Sequence, residues 1–93
     1  MSIYLTAIIK AKPGAAELMK TILLELVGHS SKEEACLQYE LYQEENTFIF
    51  HERWKDAAGL ELHNQQPHLK AFVSKTADLI DRAPVIYQTQ RIA

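Results

Sequence analysis

The chain has little of what marks a specialised class of protein. Its single cysteine, Cys36, can form no internal disulfide framework and no cysteine-based zinc site. Glycine and proline number only three each, and no linker, repeat or low-complexity tract can be found. Ten basic residues against twelve acidic ones leave a net charge of −2. The basic residues are scattered, so there is no electrostatic footprint for nucleic acid and no polybasic patch for anionic lipid. No apolar run approaches the roughly 20 residues of a membrane span. The opening Met1-Ser2-Ile3-Tyr4-Leu5-Thr6 lacks the charged region and apolar stretch of a signal peptide. Together these absences make a cytoplasmic protein without nucleic-acid or membrane partners the expectation.

What remains is an ordinary globular composition, 47% hydrophobic and 24% charged, in 93 residues. That length sets one domain over residues 1–93. A domain so small buries only about 60–65% of its unfolded surface, so help from a second subunit is expected.

Residues 3–11 alternate, with Ile3, Leu5, Ala7 and Ile9 on one side and Tyr4, Thr6 and Lys10 on the other, and predict a first strand. Lys12-Pro13-Gly14 predicts a turn. The apolar stripe Leu18, Met19, Ile22, Leu23, Leu26, Val27 predicts a helix running to about Gly28-His29, with Gly28 as its stop. After a polar connection over 30–34, strands are expected at 36–43 and 48–54, joined by a hairpin turn. An even loop places Leu37 opposite Trp54, Tyr39 opposite Glu52 and Leu41 opposite Phe50, with Glu40 against His51 and Gln38 against Arg53. Asp56 reads as the N-cap of a short helix over 57–64. Pro67 reads as the first residue of another helix, running to about Asp81 with Leu69, Phe72, Val73, Thr76, Leu79 and Ile80 inward. A last strand is expected over 85–92.

This order predicts an α+β, ferredoxin-like split βαβ fold: a four-stranded antiparallel sheet with helices on one face. The other face would carry Tyr4, Ile8, Tyr42 and Ile49 among Gln38, Glu40, His51 and Arg53. So much apolar surface predicts sheet-to-sheet homodimerisation.

Chemistry-bearing residues concentrate in 48–72, which holds three of the four histidines and the only tryptophan. The run Glu52-Arg53-Trp54, then His63 and Gln66-Pro67-His68-Leu69-Lys70-Ala71-Phe72, resembles the antibiotic biosynthesis monooxygenase domain family. The strand Cys36-Leu37-Gln38-Tyr39-Glu40-Leu41 and the Lys12-Pro13-Gly14 turn are similar too. Departures are Ala35, where the family often has Gly, and Gln66, where Thr commonly precedes Pro-His. The resemblance implies a dimeric α+β barrel. It also implies several activities: oxygenation of phenols or quinols without metal or flavin, haem degradation, or isomerisation of a phosphorylated quorum-signal sugar derivative. The haem branch needs an Asn, a Trp and a His where this chain has Ala7, His63 and Val73, so haem degradation is rejected.

On this basis the expected activity is cofactor-independent oxygenation of a small phenolic or hydroquinone-like substrate by molecular oxygen. His63 is the candidate base, because imidazole titrates near neutral pH. Glu52, on the helix-covered face, is a candidate orienter of His63 or a proton acceptor with a raised pKa; a purely structural hydrogen-bonded role is the alternative. Tyr39, Phe50, Trp54 and Phe72 are candidate aromatic walls and His68 a further pocket residue. His51 is expected at the dimer interface, and Cys36 is expected to be inert. Glu52, His63 and His68 are spaced eleven and five apart, which is no recognised ligand pattern, so no metal is expected. The alternative from a different class is a dimeric binding or stress-associated module without chemistry, in which the core beside Glu52 and His63 is packed solid.

Overall fold

The computed structural model describes residues 2–93. The elements are β1 (Ile3–Lys10), α1 (Ala16–Ser30), β2 (Cys36–Glu44), β3 (Thr47–Trp54), α2 (Ala57–Asn64), α3 (Pro67–Thr76) and β4 (Val85–Thr89). The strands form one antiparallel sheet in the order β2-β3-β1-β4. Phe48, Phe50 and Trp54 of β3 pack with Ala7 and Ile9 of β1 and with Met19, Leu23 and Leu26 of α1 to form the core. The fold is α+β and ferredoxin-like. Among the described residues, no helix is long and apolar enough to cross a membrane.

Alternation along β3 separates two environments. Phe48, Phe50, Glu52 and Trp54 are buried beneath the helices, whereas Ile49, His51 and Arg53 turn to the uncovered face. Every residue of β4, an edge strand of the sheet, is exposed.

Several local expectations need correction. Leu37 does not face Trp54: a bulge lies between Cys36 and Gln38, Cys36 takes the place opposite Trp54, and Leu37 is exposed. The remaining pairs, Tyr39–Glu52, Glu40–His51 and Leu41–Phe50, keep the even register. The loop has two residues, Glu45 and Asn46, with Glu45 in the left-handed region at φ 51°.

Gly28 does not stop α1. Only Gly14 among the glycines takes positive φ, so the left-handed stop is not used. The helix continues to Ser30 and leaves by a right-handed turn, in which Ser31 N–H donates to Val27 O and Glu33 N–H to Ser30 O. Leu18, expected on the inner stripe, is exposed.

α3 ends at Thr76, five residues short of Asp81. The Thr76 hydroxyl donates back to Phe72 O at 2.8 Å. Beyond it the chain pairs with the end of β1: Lys12 N–H donates to Leu79 O, Asp81 N–H to Lys10 O, and Ala11 bridges Ile80. Pairing with β1 satisfies backbone groups that a longer helix would have left unpaired at the sheet. β4 stops at Thr89, which pairs with Tyr4, because β1 begins only one residue earlier.

Candidate active site

At the end of β3, Glu52 and Trp54 lie two residues apart and so share a face. The Trp54 indole Nε1–H donates to Glu52 Oε1 at 2.9 Å. Glu52 is only 8% exposed. Burial pushes its carboxyl up to about 7; the Trp54 hydrogen bond acts against this, and the negative charge of Glu33 adds to it. Opposite Glu52, the Tyr39 phenol is driven well above its ordinary range by burial, with Glu52 contributing, and it stays protonated.

His63 reaches the same region from α2. Asp56 caps that helix, accepting from Gly59 N–H at 2.8 Å. Gly59 lies so close to the α1–β2 turn that an added Cβ would collide with the Ala35 Cβ. One turn further on, His63 is 3% exposed, its ring 4.4 Å from that of Trp54 and edge-on to Tyr39 at 5.7 Å. Its Nδ1 is 2.7 Å from Glu33 Oε2. His68, one residue after Pro67 at the start of α3, places Nε2 2.8 Å from the same oxygen. An ionised carboxylate only accepts, so both imidazoles donate: His63 carries its proton on Nδ1 and His68 on Nε2. His63 Nε2 has no hydrogen-bond partner among the described residues.

The partner of His63 is therefore Glu33, not Glu52, which is hydrogen-bonded to Trp54 instead. Glu33 had no periodic or motif signal. It lies in a polar connection, thirty residues from His63 in sequence. The one available cue was a carboxylate in the turn leading into β2, and nothing local aims it at α2.

Of the candidate residues, Glu52, His63, Tyr39, Phe50 and Phe72 line one cavity of about 210 Å³ between the sheet and the helices. The positions compared with the haem-degrading branch, Ala7, His63 and Val73, line it as well. Trp54 does not: it is fully buried and backs Glu52 and His63 rather than forming a wall. His68 opens instead onto a separate groove between α1 and α3, stacked on His29 with ring centroids 5.5 Å apart. His51 turns to the uncovered face, edge-on to Tyr42. Within the chain it makes no ion pair with Glu40, whose carboxylate accepts from Gln38 and Tyr42. The Cys36 thiol is pushed up to about 11, mainly by burial, which makes it a poor nucleophile.

The donor set able to hold a metal is Glu33, His63 and His68, with one ligand atom from each and all within 4.8 Å of one another. Glu52 is not part of it.

Residues 2–75 match the protein-family model described as antibiotic biosynthesis monooxygenase. A Bacillus subtilis protein named "Putative monooxygenase YcnE" is 38% identical over 91 residues, which cover 95% of this chain and 96% of that protein. The crystal structure of PA3566 from Pseudomonas aeruginosa is 36% identical, with a TM-score of 0.92 over 99% of this chain and 95% of that one. A crystal structure titled as an antibiotic biosynthesis monooxygenase superimposes with a TM-score of 0.92 over 98% of this chain and 99% of that one; at 23% identity it speaks for the fold alone. The family and the name of the Bacillus relative support a monooxygenase-like role.

Proposed function

Because the chain belongs to the antibiotic biosynthesis monooxygenase family, we propose that it oxygenates a small phenol- or hydroquinone-type compound with molecular oxygen and no cofactor. The observation that carries this reading is the cavity of about 210 Å³ in which His63 and Glu52 meet the aromatic rings of Tyr39, Phe50 and Phe72. A core packed solid there would have favoured a module without chemistry.

Ground-state oxygen is a triplet and reacts slowly with closed-shell organic molecules, but an electron-rich phenolate can pass it one electron directly. The protein's task is then to make the phenolate and keep it from water. Glu33 holds the Nδ1 proton of His63, which leaves the lone pair on Nε2 to accept the substrate's phenolic proton. Glu52, mostly protonated below about pH 7 because it is buried, adds little negative charge to oppose the phenolate. The radical pair collapses to a peroxide. One oxygen atom stays on the ring and the other leaves as water, so a quinol and O₂ give a hydroxyquinone and H₂O.

Oxygen uptake with menadiol tests the reading. Wild type should consume oxygen well above background, and His63→Ala should lose about 100-fold or more in kcat. Full activity in His63→Ala removes the residue from the mechanism. Turnover of a phosphorylated sugar derivative without oxygen consumption would identify an isomerase instead. Ligand binding with no turnover would identify a binding module.

The same reading makes the chain a homodimer joined through the uncovered sheet face, where Tyr42 is exposed and Tyr4, Ile8 and Ile49 are half-buried. Light scattering at micromolar concentration should give twice the chain mass; a monomer contradicts it.

A further inference from the structure

Glu33, His63 and His68 are the only group among the described residues that brings three metal-ligating atoms together. We propose that they form a binding site for a divalent late first-row transition ion, zinc above all, and that the ion and the His63–Glu33 hydrogen bond are mutually exclusive states of the same side chains. The second half rests on the reading of His63 as the base.

The geometry is that of two imidazole nitrogens aimed at one point. Glu33 Oε2 now occupies that point, 2.7 Å from His63 Nδ1 and 2.8 Å from His68 Nε2. Zinc sits about 2.0–2.1 Å from imidazole nitrogen and about 2.0–2.2 Å from carboxylate oxygen. An ion therefore requires each ring to close by less than about 1 Å and the carboxylate to step back and ligate from the third side. Glu33 can do this, since it lies on the turn between α1 and β2 and its side chain has no other hydrogen-bond partner among the described residues. The rings come from two short helices separated only by Gln65 and Gln66.

Two nitrogens and one carboxylate suit zinc, cobalt, nickel or copper rather than magnesium or calcium, which prefer oxygen ligands. Three protein ligands leave a fourth position for water. That position is reachable, because His68 and Gln66 border the groove of about 490 Å³ between α1 and α3. His29, stacked on His68, limits the swing of that ring.

Proton accounting gives the consequence. Both nitrogens facing the ion must give up their protons. In neutral imidazole each proton moves to the other ring nitrogen, from Nδ1 to Nε2 in His63 and from Nε2 to Nδ1 in His68. No net proton is released, but His63 now presents N–H to the cavity and cannot accept the substrate's proton. The ion thus acts as a reversible off-switch.

The test uses untagged, metal-stripped protein without substrate. Cobalt is followed by visible absorption and zinc by calorimetry. One ion per chain should bind, with affinity at least tenfold weaker in His68→Ala and in Glu33→Ala and unchanged in His51→Ala, each variant checked for folding by circular dichroism. Nitrogen-15 spectra of wild type provide a readout independent of any variant: zinc should perturb His63 Nδ1 and His68 Nε2 before any other histidine nitrogen. No 1:1 binding at millimolar ion, wild-type affinity in both ligand variants, or perturbation of other histidines first overturns the site. Oxygen uptake then separates the two readings. Loss of uptake on zinc loading, restored by chelator, supports the switch. Unchanged uptake with the ion bound leaves the site standing and removes His63 as the base.

Discussion

Glu52 and Glu33 lie on two sides of His63, one beneath the helices at the cavity wall and the other on the turn between α1 and β2, outside the cavity lining. Glu52 is held by one indole N–H in apolar surroundings, and its carboxyl is pushed up to about 7. Glu33 takes two imidazole donors on a single oxygen. Location and not residue type separates their roles. Burial with one donor gives a group that readily carries a proton, whereas two convergent donors on one oxygen give an anchor that orients rings. Of these two carboxylates, the one nearer to His63 in sequence is the one with the raised pKa, and the distant one holds the imidazoles.

That contrast can be broken experimentally. The largest effect is the loss of oxygen uptake in His63→Ala, since the ring is common to both sides. Next comes Glu52→Gln, read by stability. With a folded-state pKa of about 7 against an ordinary 4.5, the folded protein binds the extra proton, so stability is greatest below about pH 4.5 and falls as pH rises through about 7. Each pKa unit is worth about 1.4 kcal/mol, so the fall attributable to Glu52 is on the order of 3 kcal/mol. Unfolding free energies from urea titrations at pH 5 and pH 8 should differ less in Glu52→Gln than in wild type by about that amount; identical pH dependence would refute the poised carboxyl. Gly59→Ala attacks the α1–β2 turn instead. Its methyl would drive α2 from Ala35 and cost about 1–3 kcal/mol, and Ala35→Gly in the same chain should restore most of it. A lone Gly59→Ala with an unchanged melting temperature would show that the turn yields freely. The smallest effect is expected in the pH profile of Trp54→Phe, which leaves the buried Glu52 without its hydrogen-bond donor and shrinks a fully buried ring, together costing at least about 1–3 kcal/mol. Because that bond lowers the Glu52 pKa, the pH-dependent loss of stability should move to higher pH; movement to lower pH would refute its role.

Much of this could be read in the chain itself. Period-two alternation in 3–10 and 48–54 and the helical stripe after Ala16 gave strands and helices in the order observed. The local chemistry of Asp56 and Pro67 placed the starts of α2 and α3. Parity then put Glu52 and Tyr39 opposite each other on the covered face. The errors have different causes. Leu37 is displaced by a bulge, and Gly28 is passed over because the turn after Ser30 closes with right-handed backbone. In α3, pairing of residues 79–81 with β1 outweighed a local helical preference worth about 1 kcal/mol or less.

The site divides in the same way. Side-chain period and turn chemistry act over a few residues, and they alone suffice to bring Glu52, His63 and the aromatic rings to the covered side of the sheet. The junction of Glu33 with His63 and His68 closes loops of thirty and thirty-five residues. No short-range rule specifies such a meeting. It follows from the turn that leaves α1 past Gly28 and from the absence of a side chain at Gly59, which together let the α1–β2 turn settle against α2 and bring the Glu33 carboxylate to His63 Nδ1.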